Sequence, residues 1–474
     1  MTSGTFNGYF ERSVELPVDP LTAIFRLTAC GFHEDYIVYE RAGEWFFASG
    51  VLAEIFLDCS GAWMRKPQEI LLPWDGAPLM QVQSLLDKVP AKDWRAYGWA
   101  AFELAHVKDG DISDIGDQRL LHLVVPHTEA RLKQGWAHVR SADEQMLPPV
   151  AAALSREPAV RHWEPSPVDV RRYGGEAYRQ AVEVAVKDIN ADRFQKVVLS
   201  RIVPVEQEID FVGTYICGRR GNNPARSFLL RLGGIEAAGY CPEVVIQVSG
   251  DGRVLSQPLA GTRALTGDSA KNERLRAELL SDPKEVYEHA ISVKAACDEL
   301  GGVCVPDSIN VDEFMVIKER GSVQHIASRV TGRLAAGQRA WHAFGAAFPA
   351  ITASGVPKDA ACASIRTSEP KARGLYSGAV LTVDHDGALD AALVLRAVYR
   401  QNGMTWLQAG AGIVGQSRPD REFEETCEKL DSVARFLVPA SAPLRGAARP
   451  GPVRPRSVVG PAVRVAGYFL KARS

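Results

Sequence analysis

Between about Tyr178 and Leu437 the chain repeats one pattern: short β-branched or apolar runs separated by turn residues, with Asp-Gly pairs at Asp251-Gly252 and Asp386-Gly387. An Asp-Gly pair tolerates the positive φ of a tight hairpin, so successive runs are expected to fold back as antiparallel neighbours. Two longer stretches, SDPKEVYEHAISVKAACDEL and SRPDREFEETCEKLDSVARFL, carry helix-start signals. The fold class expected is α+β.

Three zones divide the chain. Residues 1–165 mix short strands (YIVYE, WFFAS) with a helical stretch, LMQVQSLLDKV, and end near the polar segment REPAVRHWEPSP. Residues 166–438 carry the dense strand and helix signals. Residues 439–474 are rich in Pro, Gly, Ala, Ser and Arg, with seven basic residues and no acidic one, and are expected to be a disordered, solvated tail.

Composition excludes several functions. With 55 basic and 57 acidic residues the net charge is −2, so no field argues for nucleic acid. The eight cysteines include no C-x-x-C pair, which speaks against a disulfide framework or a zinc site. No basic leader with an apolar run opens the sequence, and no apolar run reaches the length of a bilayer span, so a cytoplasmic chain is expected. A small molecule is the default partner.

Four places carry charged side chains where an apolar residue would pack more simply. In FQKVVLSR, Phe194, Lys196, Val198 and Ser200 share a strand face. Lys196 either snorkels from an edge strand or is buried, and burial would lower its affinity for a proton and suit it to act as a base. In LDAALVLRAVYRQ, read as one strand over 389–401, Arg396 shares a face with Ala392, Val394 and Val398. A guanidinium cannot escape burial by losing its proton, so it needs a buried protein carboxylate or a substrate carboxylate.

The two helices supply paired acids. Asp282 is expected to cap the first, with Pro283 at its first position and Glu285 closing a capping box. Glu288 lies one turn on, on the face of Glu285 and away from a core stripe of Val286, Ala290, Val293 and Cys297. In the second helix Ser417 is expected to cap, with Glu422, Glu425 and Lys429 opposite Phe423, Cys427, Leu430 and Leu437. These acidic faces are either solvated or converge on a hard cation such as magnesium. AGAGIVG, residues 409–415, could receive a carboxylate on its backbone N–H groups, but it is no dinucleotide fingerprint.

Taken in order, KVVLSR, GYCPE, PLAGTRAL, DPKEVYEHAISV, RGSVQHIASRVTG, FPAITASGVPK, RGLYSGAV, LDAALVLRAVY, LQAGAGIV and REFEETCEKL resemble the chorismate-utilising enzymes, which include anthranilate, aminodeoxychorismate, isochorismate and salicylate synthases. The likeness covers roughly residues 175–437, with 1–165 as a more divergent part of the same fold. It implies one large α+β unit, two antiparallel sheets packed as a sandwich with helices outside. It also implies that Lys196 activates water at ring C2 and Glu243 protonates the departing C4 hydroxyl. Magnesium would be held by Glu288 and Glu425, with Glu285 and Glu422 close by. Lys429 and the metal would receive the ring carboxylate, Arg396 and Tyr376 the pyruvyl carboxylate. Thr262 and His325 would orient the substrate, and Gly261, Gly410 and Gly412 would allow close backbone approach.

Amine-transferring relatives generally carry glutamine where Lys196 stands and take ammonia from a glutaminase subunit. A lysine there favours water and no such partner, and a monomer is expected. The wording of FPAITASGVPK and RGSVQHIASRV is most like the salicylate-forming members of siderophore pathways. The alternatives are a synthase that stops at isochorismate and a non-catalytic chorismate-binding protein. Cys241 where serine is usual, Gln257 before PLAGTR and the long basic tail depart from the family pattern, and none removes a named catalytic group.

Overall fold

The computed structural model describes residues 8–107, 116, 118–155, 162–321 and 323–440. The tail expected to be disordered from 439 onward lies outside the described residues except for Pro439 and Ala440, and the first half of REPAVRHWEPSP, residues 156–161, is likewise outside them.

Two antiparallel sheets form the frame. One has eleven strands, in which Tyr36–Arg41 pairs with Arg226–Leu232, and Ile235–Cys241, Ala397–Gln401, Met404–Ile413 and Lys196–Pro204 follow in spatial order. The other has twelve, in which Val244–Val248, Leu389–Leu393, Ala379–Asp384 and Arg95–Ala100 are successive neighbours. Both contain strands from before residue 165 and after it. The Asp-Gly turns do what the spacing predicts: Gly252 (φ 81°) joins Val244–Val248 to Arg253–Ser256, and Gly387 (φ 86°) joins Ala379–Asp384 to Leu389–Leu393.

The sheets face each other across an apolar layer to which one sheet gives Tyr39, Phe46 and Phe228 and the other Tyr97, Trp99 and Val380. Their outer faces are covered by helices: Gly175–Asn190 and Pro419–Ala434 pack on the first, Pro78–Leu86, Pro283–Gly301 and Ala340–Ala347 on the second. Strands covered on both faces have no solvent side, which explains why runs such as IEAAGYC, all seven residues buried, do not alternate. No described helix is long and apolar enough to cross a membrane.

Candidate active site

The site forms where two neighbouring strands leave one sheet for the other. Ile235–Cys241 lies in the eleven-stranded sheet and continues through Pro242 and Glu243 into Val244–Val248 of the twelve-stranded sheet. Beside it, Leu389–Leu393 crosses the opposite way into Ala397–Gln401. Backbone bonds tie the crossings together, Tyr240 N–H to Arg396 O at 3.1 Å and Leu393 N–H to Glu243 O at 3.1 Å. The expected single strand over 389–401 is therefore two strands. Arg396 stands at the break with φ 51°, a left-handed conformation that cannot continue a pleat, so it shares no face with Ala392, Val394 or Val398. The side chains at the two crossings, Glu243 and Arg396, line one pocket.

Glu243 is 4% exposed and accepts a 2.6 Å hydrogen bond from Thr352 Oγ1. Burial pushes its carboxyl up to about 8, against the opposing pull of Thr352 and Lys196. It is thus a protonated acid at neutral pH. Thr352 lies in FPAITASGVPK, a motif whose residues the sequence reading left without a role.

Lys196 begins the strand Lys196–Pro204 and is 1% exposed, which excludes the snorkelling alternative. Its Nζ reaches Ser292 Oγ at 3.2 Å and Glu288 Oε1 at 2.9 Å, both on the helix Pro283–Gly301.

That helix differs from expectation in a telling way. Asp282 does cap it, accepting from Lys284 N at 3.0 Å, and Pro283 opens it. Glu285 does not close a capping box; it turns inward, 6% exposed, toward Arg263 Nη1 at 3.3 Å. The buried stripe runs Glu285, Glu288, His289, Ser292, Val293, Ala296, while Val286, Ala290 and Cys297 lie at its margins. The expected core stripe is off by about a third of a turn, because at its first two turns the helix packs polar side chains against the pocket instead of apolar ones against a core.

The second acidic helix, Pro419–Ala434, follows Arg418 rather than Ser417, whose hydroxyl accepts instead from Val414 N at 3.1 Å. Glu422 is 1% exposed and Glu425 lines the pocket, so the solvated-face reading fails for both helices.

Each of these acids meets a protein cation. Lys284 Nζ is 2.9 Å from Glu422 Oε1, and Lys429 Nζ is 2.8 Å from Glu425 Oε1 and from Gly410 O. Burial and the like charges of Glu288 and Glu425 push Glu285 up to about 7. Burial and Glu425 also push Glu422 up, whereas for Glu425 burial is outweighed by Lys429 and Lys284, which hold it well down. Glu422 Oε2 is buried without a hydrogen-bond partner among the described residues. Hard carboxylate oxygens, mutual repulsion and an orphaned acceptor suit a magnesium ion. Among the described residues no three acids converge closely enough to enclose one. Such an ion would be held by one or two carboxylates together with water and an anionic ligand, its usual mode.

Arg396 pairs with no acid among the described residues; its Nη2 lies 2.5 Å from His325 Nε2. Burial and the nearby Arg320 pull its guanidinium down to about 10. His325 Nδ1 faces Gly261 O at 3.0 Å, and a carbonyl only accepts, so Nδ1 carries the proton and Nε2 is the acceptor turned to Arg396. Burial and Arg396 press the ring's proton affinity down to about 3, keeping it neutral. Thr262 Oγ1 is 3.2 Å from the same Nδ1. Of the two possible partners for Arg396, no protein carboxylate is present among the described residues, which leaves an anionic ligand. Tyr376, 2% exposed, also lines the pocket, its hydroxyl 3.0 Å from where a Cβ on Gly410 would lie, as do Gln408, Leu395 and Ala353, which sequence reading did not single out.

The glycines make room chiefly for protein groups. A Cβ on Gly412 would lie 2.4 Å from Glu288 Oε1 and 3.3 Å from Lys196 Cε; one on Gly410 would lie 2.5 Å from Leu199 O. At Gly261, where φ is 65°, it would meet Glu285 Oε2 at 2.8 Å. Gly412→Ala should therefore displace the Lys196–Glu288 pair and lower turnover by roughly a hundred-fold with little change in the circular dichroism of the fold. Wild-type turnover in that variant would show that the pair tolerates displacement.

The chain resembles known proteins. A family model described as chorismate binding enzyme matches residues 36–435. The chain belongs to the chorismate-binding enzyme family. It is 41% identical over 414 residues to a salicylate synthase from Mycolicibacterium paratuberculosis, covering 85% of this chain and 90% of that protein. The anthranilate synthase component I structure from Streptococcus pneumoniae superposes with a TM-score of 0.72 at 26% identity, covering 83% of this chain and 92% of that one. The menaquinone-specific isochorismate synthase of Escherichia coli shares the fold, with a TM-score of 0.68 at 19% identity over 90% of this chain and 95% of that one. The chain is thus an enzyme of the family that acts on chorismate, and its two-sheet α+β fold is the family's.

Proposed function

We propose that this enzyme is a magnesium-dependent salicylate synthase, which isomerises chorismate to isochorismate and then splits isochorismate into salicylate and pyruvate. The observation that carries this reading is Glu243, a carboxyl kept protonated to about pH 8 by burial in a pocket that also holds a guanidinium with no carboxylate partner among the described residues. A neutral acid there suits protonation of a departing hydroxyl, and Arg396 with Tyr376 suits a carboxylate. Lys196, on the opposite side of the reaction, takes the proton from water as its oxygen adds at ring C2. The C4 hydroxyl then leaves as water with the proton of Glu243. No glutaminase subunit is needed, because the nucleophile is water.

In the second step the ring C3–O ether bond breaks as the hydrogen on C2 passes to the side-chain methylene carbon, so pyruvate leaves and the ring becomes aromatic. A concerted elimination needs orientation more than acid or base, so the groups that matter are those gripping the two carboxylates. Glu288 and Glu425, with Glu285 and Glu422 adjacent, would hold the magnesium, which supplies charge neutralisation at the ring carboxylate. The preference for salicylate over isochorismate as end product is supported by the 41% identity to a salicylate synthase across 90% of that protein. Use of the salicylate in siderophore assembly is part of this proposal.

The test is incubation of the purified chain with chorismate and Mg²⁺, without glutamine or ammonia, followed by chromatography. Salicylate and pyruvate in equal amounts are expected. Isochorismate alone would mean a synthase that stops after the first step, and no turnover would mean a binding protein. Excess chelator should stop both steps, and activity that persists in it would remove magnesium from the account.

A further inference from the structure

The four acids near the pocket are matched one to one by basic side chains: Glu288 by Lys196, Glu425 by Lys429, Glu285 by Arg263 and Glu422 by Lys284. Three of these bases have a further polar contact. Lys196 reaches Ser292 Oγ, Lys429 reaches Gly410 O, and Arg263 reaches Asp282 Oδ2 at 2.8 Å and Thr262 O at 2.9 Å. Among the described residues the ammonium of Lys284 pairs with Glu422 alone, at 2.9 Å.

Lys284 also spans the site. It sits on the helix Pro283–Gly301, one residue before Glu285, and its partner belongs to the facing helix Pro419–Ala434. Its side chain is 19% exposed and that of Glu422 is 1% exposed, so the pair joins the two helices at the rim of the acidic cluster. Burial would pull the ammonium down, yet it is held up by Glu422, Glu425, Glu288 and Glu285, all four acids of the cluster.

We propose that Lys284 is the resident counter-ion of this cluster, which a divalent cation must displace from Glu422, and that it thereby sets the metal affinity of the free enzyme. The inference rests on the metal reading of the proposed function. Its physical basis is simple. Four buried carboxylates without a cation repel one another, and a positive charge built into the helix keeps the metal-free protein folded. That same charge opposes an incoming Mg²⁺, because like charges a few ångströms apart repel strongly where water is excluded. The ammonium is on a flexible stem near the rim, so it can swing to solvent when the metal arrives.

The experiment is calorimetric titration of the purified chain with MgCl₂ in the absence of chorismate, comparing wild type with Lys284→Met and Lys284→Gln. Both variants should bind Mg²⁺ about ten-fold or more tighter than wild type, the direction set by loss of a repelling charge. Without metal both should melt below wild type, and saturating Mg²⁺ should close that gap. The two variants differ in polarity, so a folding defect peculiar to one leaves the other to decide. If wild type binds Mg²⁺ and the folded variants bind it no tighter, the counter-ion role is wrong while the metal reading stands. If neither wild type nor variants bind Mg²⁺ at all, the metal reading falls and takes this inference with it.

Discussion

Glu243→Gln should abolish the conversion of chorismate while sparing the elimination of pyruvate from added isochorismate. The amide matches the carboxyl in shape and can accept the Thr352 hydroxyl bond seen at 2.6 Å, so the pocket should persist. What it cannot do is give up a proton, and removal of a positioned acid costs about 10²–10⁴ in rate. In the wild type, the limb of the first step's pH profile that Glu243 sets should fall as pH rises through about 8, where Glu243 ionises. Stability should move in a matching way. An unfolded-chain glutamate ionises near 4.5 and the folded one near 8, so the unfolded state binds fewer protons between these values and wild-type stability falls as pH rises across them. Each unit of that window is worth about 1.4 kcal/mol at most. Glutamine does not titrate, so the variant should gain on wild type with rising pH. Denaturant unfolding at several pH values checks this, and parallel curves would mean that Glu243 is not a buried neutral acid.

Lys196→Gln should likewise lose isochorismate formation, by about 10²–10⁴ for a missing base, and keep the elimination step. Glutamine is the better test than alanine. Alanine removes a buried stem and leaves Glu288 Oε1 without the ammonium 2.9 Å away, a change that costs about 3–5 kcal/mol when one partner of a buried pair is deleted. Glutamine keeps most of the stem and a donor for Glu288. Steady-state assays with chorismate and, separately, isochorismate distinguish the cases. Near-normal turnover of chorismate would remove Lys196 as the base; equal loss of both steps would make it a binding residue.

Much of the site was legible in the motifs, but the pattern of apolar residues misled at two places. Arg396 reads as the middle of one strand because LDAALVLRAVY is apolar on both sides of it, yet the chain changes sheet there. The run is continuous because both sheets are covered on both faces, so the sequence pattern records burial and not which sheet a strand joins. On the helix Pro283–Gly301 the apolar residues Val286 and Ala290 suggest a core stripe, and the buried one begins with Glu285 and Glu288. A periodicity argument assigns the inside of a helix to its apolar face, and it fails where the inside is a polar pocket. Thr352 and Gln408 carry no local signal at all, since a hydroxyl or amide is as common on a surface as in a site.

By itself the sequence determined the secondary-structure types, the Asp-Gly hairpins, the two acidic helices and the residue types for a base, an acid and a carboxylate grip. These depend on neighbours a few positions apart, where turn geometry and helix spacing act. Only the tertiary structure decided that burial raises Glu243 to about 8, that Arg396 has no acid to pair with among the described residues, and that every acid of the cluster is matched by a lysine or arginine. Those properties come from desolvation and from charges brought together across large sequence separations, as Lys284 is to Glu422, and neither is written in any local stretch of the chain.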